Sequence, residues 1–429
     1  MLDIKFIREN RELVESAIKN KKVLEKVDVG ELLSFYDKKK EIQKRLEEIN
    51  KERNEAAKSR DVEAGSKLKI EAGKLEDELK EADKDFMRLM LLLPNIPSAD
   101  TPIGEDEGGN KVVRTWGEIP KFSFKAKEHQ ELGADLGVID TETAGVVSGS
   151  RFVYLKGDIA LMQFALIQFA LEALTNQEIL EIIKKEAGLE IDVAPFIPVV
   201  PPVFIKPAVF NRMARLEPKD ERYYIPSDDL YLIGSAEHTL GSMHMDHVFE
   251  EKELPTRYVG YSTAFRREAG TYGKDMKGIL RVHQFDKIEM ETFSVPENSY
   301  QEQDLMVGIQ EYLMRKLKIP YQVVLICTGD MGIPDHRQFD IECYMPGQGK
   351  YRETHTSDLI AGFQPRRLNT RVKRKDGKIE HLHMNDATVL AIGRTIVAIM
   401  ENYQQEDGSI LIPEVLQKYM GGRKVITKR

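Results

Sequence analysis

Between residues 32 and 93 the apolar positions recur at alternating spacings of three and four. Leu32, Phe35, Lys39, Ile42, Leu46, Ile49, Arg53 and Ala56 form one seam, and Leu68, Ala72, Leu75, Leu79, Ala82, Phe86, Leu89 and Leu93 a second. This heptad spacing predicts two helices that pack along one stripe each. The stretch 59–66 (SRDVEAGS) contains Gly65 and no seam position, so it is the expected tip. Two helices of matched length give one antiparallel hairpin over about residues 31–93, each helix about 40 to 45 Å long at 1.5 Å per residue. Upstream, Phe6, Ile7, Leu13, Val14 and Ile18 predict a single amphipathic helix over residues 1–25, with Gly30 as the break before the hairpin. Pro94-Asn95-Ile96-Pro97 ends the hairpin, and the Pro-, Gly- and acid-rich stretch to Gly109 reads as a linker. The domains expected are therefore 1–98 and 99–429. By its pattern the hairpin is either a dimerisation coiled coil or a lever that reaches a large partner.

Beyond the linker the periodicity changes. Ile159 to Leu174 is an apolar run interrupted by Gln163, Gln168 and Glu172, shorter than the roughly 20 residues that span a bilayer, and predicts a buried helix. APFIPVVPPVFIKP (194–207) is apolar and proline-rich, as an edge strand or subunit contact would be. YLIGSAEHTL (231–240) predicts a strand followed by a helix N-terminus. CTGDMG (327–332) and FDIECYMP (339–346) predict strands with a turn, and YRETHTSD (351–358) follows. Near the C-terminus a strand turns into a helix that carries Ile396, Ile399 and Met400 on one face.

The stretch from Arg257 to Glu291 carries the clearest candidate chemistry. It predicts a long-looped hairpin of two alternating strands, Tyr258 to Phe265 and Ile279 to Met290. Arg266, Arg267 and Glu268 end the first strand, and alternation places Arg281, His283, Phe285, Lys287 and Glu289 on one face of the second. Such a face suits a nucleotide: a ring stacks a base, arginines hold phosphate, and a carboxylate accepts from an amine. A solvated, salt-bridged hairpin would read the same way.

Composition narrows the class. With 31% charged and 41% hydrophobic residues in 429, the chain is expected to be soluble and to fold as two or three domains. A net charge of −8 argues against polyanion binding by overall charge, so any RNA contact must come from local basic patches. The two cysteines, Cys327 and Cys343, have no metal-like spacing, so no zinc site is expected and a reducing cytosol fits. The first 22 residues carry charges throughout and lack an apolar core, so neither a signal peptide nor a membrane anchor is expected, and the location inferred is cytoplasmic.

FRREAG, its loop, and RVHQFDKIE closely resemble motif 2 of the seryl-tRNA synthetases, a family of class II aminoacyl-tRNA synthetases. The resemblance extends over essentially the whole chain. GSRFVYLKGD (149–158) is similar to the family, residues 194–207 resemble motif 1 with Pro202 at its proline, and residues 384–403 resemble motif 3 with Arg394 at its arginine. The family's threonine-alanine-glutamate becomes Ser235, Ala236 and Glu237. This likeness implies an α+β fold, an antiparallel-sheet catalytic domain behind an N-terminal helical arm that holds tRNA(Ser). It also implies a homodimer built on motif 1, and ATP-dependent activation of serine followed by transfer to the tRNA 3′ end, with tRNA(Sec) a further candidate substrate.

The resemblance also implies site roles. Arg266 would hold the α-phosphate, Arg394 the γ-phosphate, and Glu353 the Mg²⁺ that accompanies ATP; these are the catalytic candidates. Arg267, Glu268, Val282, Phe285, Thr354, His355 and Thr356 complete the expected ATP site, with Glu268 on the adenine amine and Phe285 on its face. Ser235, Ala236, Glu237, Glu289 and Thr388, with Arg266, form the expected serine site. The chain departs from the family in places: Thr354-His355-Thr356 stand for isoleucine-serine-serine, Leu359 for an asparagine, Met384 for a threonine, and Pro195 for a glycine. Asp386-Ala387-Thr388-Val389 replace asparagine-glycine-serine-glycine. These departures leave open a catalytically weakened tRNA-binding homologue, or a ligase for another small amino acid or another carrier.

Overall fold

The structure, a computed structural model, describes residues 1–23, 27–269 and 278–428. It divides into two compact units, Met1–Ile96 and Pro97–Arg429.

In the first unit, two short helices, Ile4–Glu9 and Arg11–Asn20, replace the single helix expected over residues 1–25. Asn10 leaves helical geometry and its side-chain amide donates to the Phe6 carbonyl at 3.0 Å, a local bond that competes with the helix ladder. The hairpin helices are Val29–Ser59 and Val62–Leu92. Gly30 does not break the chain but lies in the first turn, where the Asp28 carboxylate accepts from the backbone N–H of Gly30 at 2.7 Å and of Glu31 at 3.2 Å.

The expected tip is too long: only Arg60, in left-handed geometry, and Asp61 separate the helices. Asp61 accepts from the Ala64 N–H at 2.9 Å, so a cap draws residues 62–66 into helix despite Gly65. Ile42, Leu46, Ile49, Ala72 and Ala82 form the seam, with Leu68, Leu75 and Leu79 packed against it. Lys39, a charge at a seam position, pairs with Asp83 and lies 5.2 Å from the centre of the Phe86 ring, which lets its stem stay in the seam.

The second unit is built on an eight-stranded sheet. Its strand order is Lys111–Trp116, Tyr321–Leu325, Arg337–Met345, Lys350–Ala361, His383–Ala391, Gln284–Ser294, Thr256–Phe265 and Ile197–Val199. Every pairing is antiparallel except the last, where the short strand Ile197–Val199 closes one edge in parallel and tolerates Pro198 there. Three helices pack on one face: Gly157–Thr175, Ser299–Lys316 and Ile392–Asn402. Toward them point Ile288, Met290, Ile341, Ala387 and Val389, all in the main core. Alternation then sends Lys287, Glu289, Asp386 and Thr388 to the opposite face.

Three expectations need correction. CTGDMG is a loop after the strand Tyr321–Leu325 rather than a strand. The second strand of the central hairpin begins at Gln284, so Arg281 and His283 precede it, and 270–277 lie outside the described residues. The helix Gly157–Thr175 is buried on one side through Ile159, Met162, Leu166 and Phe169, while Leu161 and Phe164 are exposed.

Register shifts interrupt the central strands at Ile288/Glu289, Ile341/Glu342 and Leu359/Ala361. The helix Ser299–Lys316 meets the carbonyls that such irregularities leave: the Gln310 amide donates to Thr356 and Thr388 carbonyls at 2.9 and 2.7 Å, and Gln303 to that of Ser357 at 2.9 Å.

Candidate active site

Two neighbouring cavities open on the helix-free face of the sheet. The first, about 110 Å³, is walled by Arg266, Glu268, Phe285, Glu353 and Arg394, with Ile279, Leu280 and Val282 along the apolar side. Strand ends and bulges position these groups. Arg266 follows the strand Thr256–Phe265; its Nε donates to the Gly234 carbonyl at 3.0 Å and its guanidinium stands 5.4 Å from the centre of the Phe285 ring. A Cβ on Gly234 would come within 2.9 Å of the Arg222 guanidinium, which would have to shift. Glu268 accepts from Arg281 Nη1 at 3.1 Å. Arg394 opens the helix Ile392–Asn402 and donates to the carboxylate of Glu353 at 2.8 Å and to its carbonyl at 3.0 Å. Cations, two carboxylates and a ring thus face one space.

The second cavity, about 220 Å³, is lined by Arg215, Glu237, Glu289, Asp358, Asp386 and Thr388, and shares Arg266, Lys287, Thr356 and Thr388 with the first. Glu237 sits in a one-turn helix, Glu237–Leu240, held from behind by Ser235. The Ser235 hydroxyl lies 2.8 Å from Glu237 Oε2 and 2.9 Å from Glu289 Oε1, Lys287 donates to it at 3.2 Å, and Thr388 Oγ1 donates to Glu289 Oε1 at 3.3 Å. The two glutamates are driven apart electrostatically. Burial works to raise Glu237, but Arg215 and then Lys287 hold it well below the usual carboxylate range. Glu289 is raised, first by burial, with Glu237 adding to the rise against the pull of Lys287.

Most of the expected residues meet at these cavities, with four exceptions. Arg267 lines neither; its guanidinium lies 5.6 Å from the Tyr223 ring and its N–H donates to the Glu221 carbonyl. His355 is buried on the core side, its Nδ1 2.8 Å from the Thr354 hydroxyl. Ser235 and Ala236 are buried behind Glu237 rather than exposed to the cavity. Thr354 lines the first cavity, yet its hydroxyl donates to the Ile341 carbonyl at 3.0 Å.

Comparison with known proteins gives the family. Residues 1–97 match the seryl-tRNA synthetase N-terminal domain, and residues 222–403 the tRNA synthetase class II core domain (G, H, P, S and T). A serine–tRNA ligase of Bacillus cereus (strain G9842) is 40% identical over 452 aligned positions, covering 99% of this chain and 100% of the relative. The chain belongs to the seryl-tRNA synthetase family. A crystal structure of seryl-tRNA synthetase from Pyrococcus horikoshii complexed with ATP superposes with a TM-score of 0.90 at 38% identity, covering 100% of both chains. A cytoplasmic serine–tRNA ligase from Naegleria fowleri in complex with AMP gives 0.85 at 30% identity, covering 100% of this chain and 99% of that one.

Ala387 and Val389, which replace two glycines of the family pattern, belong to the helix-side core and line neither cavity. Asp386 is different, for it lines the second cavity. Pattern reading missed Arg215 and Asp335, which lie in irregular segments, and Asp358, one strand over from Asp386. Lys287 was on the expected face without a role, although its spacing of two from Glu289 placed it there.

Proposed function

We propose that the chain is a serine–tRNA ligase that makes seryl-adenylate from serine and ATP and then transfers the seryl group to the 3′ end of tRNA(Ser), with tRNA(Sec) a second candidate acceptor. The observation that carries this reading is Arg266, the guanidinium shared by a cavity of nucleotide chemistry and a cavity of amino-acid chemistry. In the first step a serine carboxylate oxygen bonds to the α-phosphorus while the bond from that phosphorus to the bridging oxygen breaks, and pyrophosphate leaves. No protein nucleophile takes part; alignment and charge stabilisation supply the catalysis.

Arg266 bridges the attacking carboxylate and the α-phosphate with its planar fork. Phe285 stacks adenine and Glu268 accepts from its amine. Glu353 is an exposed oxygen donor of the kind that suits the hard Mg²⁺ ion that ATP brings, which would neutralise phosphate charge. The Glu353–Arg394 pair opens in the process, freeing Arg394 for the γ-phosphate. Anionic Glu237 meets the substrate ammonium, and Glu289, with Thr388, meets the hydroxyl.

Ile197, Val200 and Phe204, 51%, 85% and 45% exposed along 194–207, supply the apolar strip for a homodimer. The helical hairpin holds tRNA(Ser), and the protein acts in the cytoplasm. Replacing Ser34 to Leu91 by a short glycine-serine link tests the division of labour. Serine-dependent pyrophosphate exchange is expected to persist while aminoacylation collapses; undiminished charging would remove the hairpin from tRNA binding.

A further inference from the structure

The floor of the second cavity holds more acid than serine requires. Across three adjacent strands, Asp358 stands opposite Asp386, and Asp386 opposite Glu291, so three carboxyl groups sit side by side in one row of the sheet. Like charges paired directly across strands are destabilising, and burial compounds the cost. Lys287 pairs with Glu289 on the same cavity wall, and Arg215 serves the rest: its Nη2 lies 3.3 Å from Asp335, 3.3 Å from Asp358 and 3.4 Å from Asp386, while its Nε lies 3.5 Å from Glu237. One guanidinium faces four carboxyl groups.

Oxygens remain without partners. Asp358 Oδ1 and Glu289 Oε2 accept no hydrogen bond, although Asp358 is 6% and Glu289 1% exposed and both residues line the cavity. Burial, then neighbouring acids, raises Asp358 and Asp386 above the usual carboxylate range, the direction that a cationic guest would oppose. An anionic side chain would meet a guanidinium already surrounded by acids. Among the described residues no three His, Cys, Asp or Glu side chains are placed to hold a metal ion, which leaves a hydrogen-bonding cation as the matching guest.

We propose that this cavity accepts a small α-amino acid carrying a second ammonium on its β-carbon, 2,3-diaminopropionate being serine with that group in place of the hydroxyl. Glu237 takes the α-ammonium as it would for serine; Asp358, Asp386 and the free oxygen of Glu289 take the β-ammonium. The α-carboxylate then attacks the α-phosphorus and expels pyrophosphate as before. This inference rests on the second cavity being the amino-acid site of the ligase.

The test is ATP–pyrophosphate exchange by the full-length protein with L-serine, L-2,3-diaminopropionate and L-2-aminobutyrate, the last a neutral analogue of similar size. Diaminopropionate is expected to support exchange within about tenfold of serine in kcat/KM, with aminobutyrate at least about a hundredfold poorer than serine, since it leaves the buried polar groups unpaired. Asp358→Asn and Asp386→Asn, the latter restoring the family's amide, are each expected to lower the diaminopropionate-to-serine ratio at least about tenfold, the size of one lost charged contact. Exchange with serine but none with diaminopropionate above the aminobutyrate level overturns the inference and leaves the serine reading standing. A ratio unmoved in both variants also overturns it. Exchange with diaminopropionate alone supports the inference and removes serine as the substrate, and exchange with neither ends both.

Discussion

The two cavities sit side by side on one sheet yet are built on opposite electrostatic plans. In the cavity proposed for the nucleotide, charges come in matched pairs, Arg394 with Glu353 and Arg281 with Glu268. In the amino-acid cavity Glu237, Asp335, Asp358 and Asp386 surround Arg215. Matched pairs at a cavity mouth can exchange partners when a ligand with both signs arrives, as ATP with its metal does. A buried excess of one sign instead waits for a guest of the other sign, and costs stability until it comes. The difference teaches that, on the proposed assignment, the nucleotide half is arranged for rearrangement and the amino-acid half for selection.

The largest effect expected from breaking that contrast is on stability. Arg215→Gln leaves the carboxyl cluster without its cation and is expected to lower the unfolding free energy by about 3 to 5 kcal/mol, read from urea denaturation at neutral pH. A loss under about 1 kcal/mol would show that the acids are satisfied without Arg215. Next comes the shared residue. Arg266→Lys keeps the charge but loses the planar fork, and serine-dependent pyrophosphate exchange is expected to fall by at least about a hundredfold. A change of only a few-fold would move the α-phosphate away from Arg266.

A smaller effect lies behind the nucleotide cavity. Burial pushes the imidazole of His355 down to about 3, although Glu353 pulls the other way, whereas the unfolded chain takes up its proton near 6.5. Below 6.5 the unfolded state therefore binds more protons than the native one, and stability falls as pH falls. His355→Ser, which restores a residue of the family pattern, is expected to remove about 2 kcal/mol of the stability lost between pH 7 and pH 5, at about 1.4 kcal/mol per pH unit below 6.5. Parallel stability curves for wild type and variant over that range would mean that His355 takes up its proton in the folded protein as it does in the unfolded chain.

What the sequence disclosed follows the same division. The heptad seam, the strand alternation around Lys287 and Glu289, and the glycine before Arg394 are short-range patterns, and each led to the correct element or face. The hairpin tip was misplaced because one capping carboxylate, Asp61, outweighed the helix-weakening Gly65. His355 was assigned to ATP because strand position alone does not say which face a bulge exposes; the register shift at Ile341/Glu342 lies beside it. Arg215 and Asp335 were invisible for a different reason. They come from irregular segments and gain meaning only by meeting Asp358 and Asp386 across strands far apart in sequence. The nucleotide half is written mostly in contiguous motifs, the amino-acid half in long-range contacts.

The claim that the two cavities act as one site, with a carboxylate from the acidic side attacking a phosphorus on the paired side, can be followed atom by atom. Serine labelled with ¹⁸O in its carboxylate is incubated with the protein, ATP and tRNA(Ser), and the AMP released is analysed by mass spectrometry. Attack on the α-phosphorus forms a bond from a labelled carboxylate oxygen to phosphorus, and transfer to the tRNA breaks that oxygen's bond to the acyl carbon instead, so each AMP should carry one labelled oxygen. Labelled seryl-tRNA accompanied by unlabelled AMP would contradict the account.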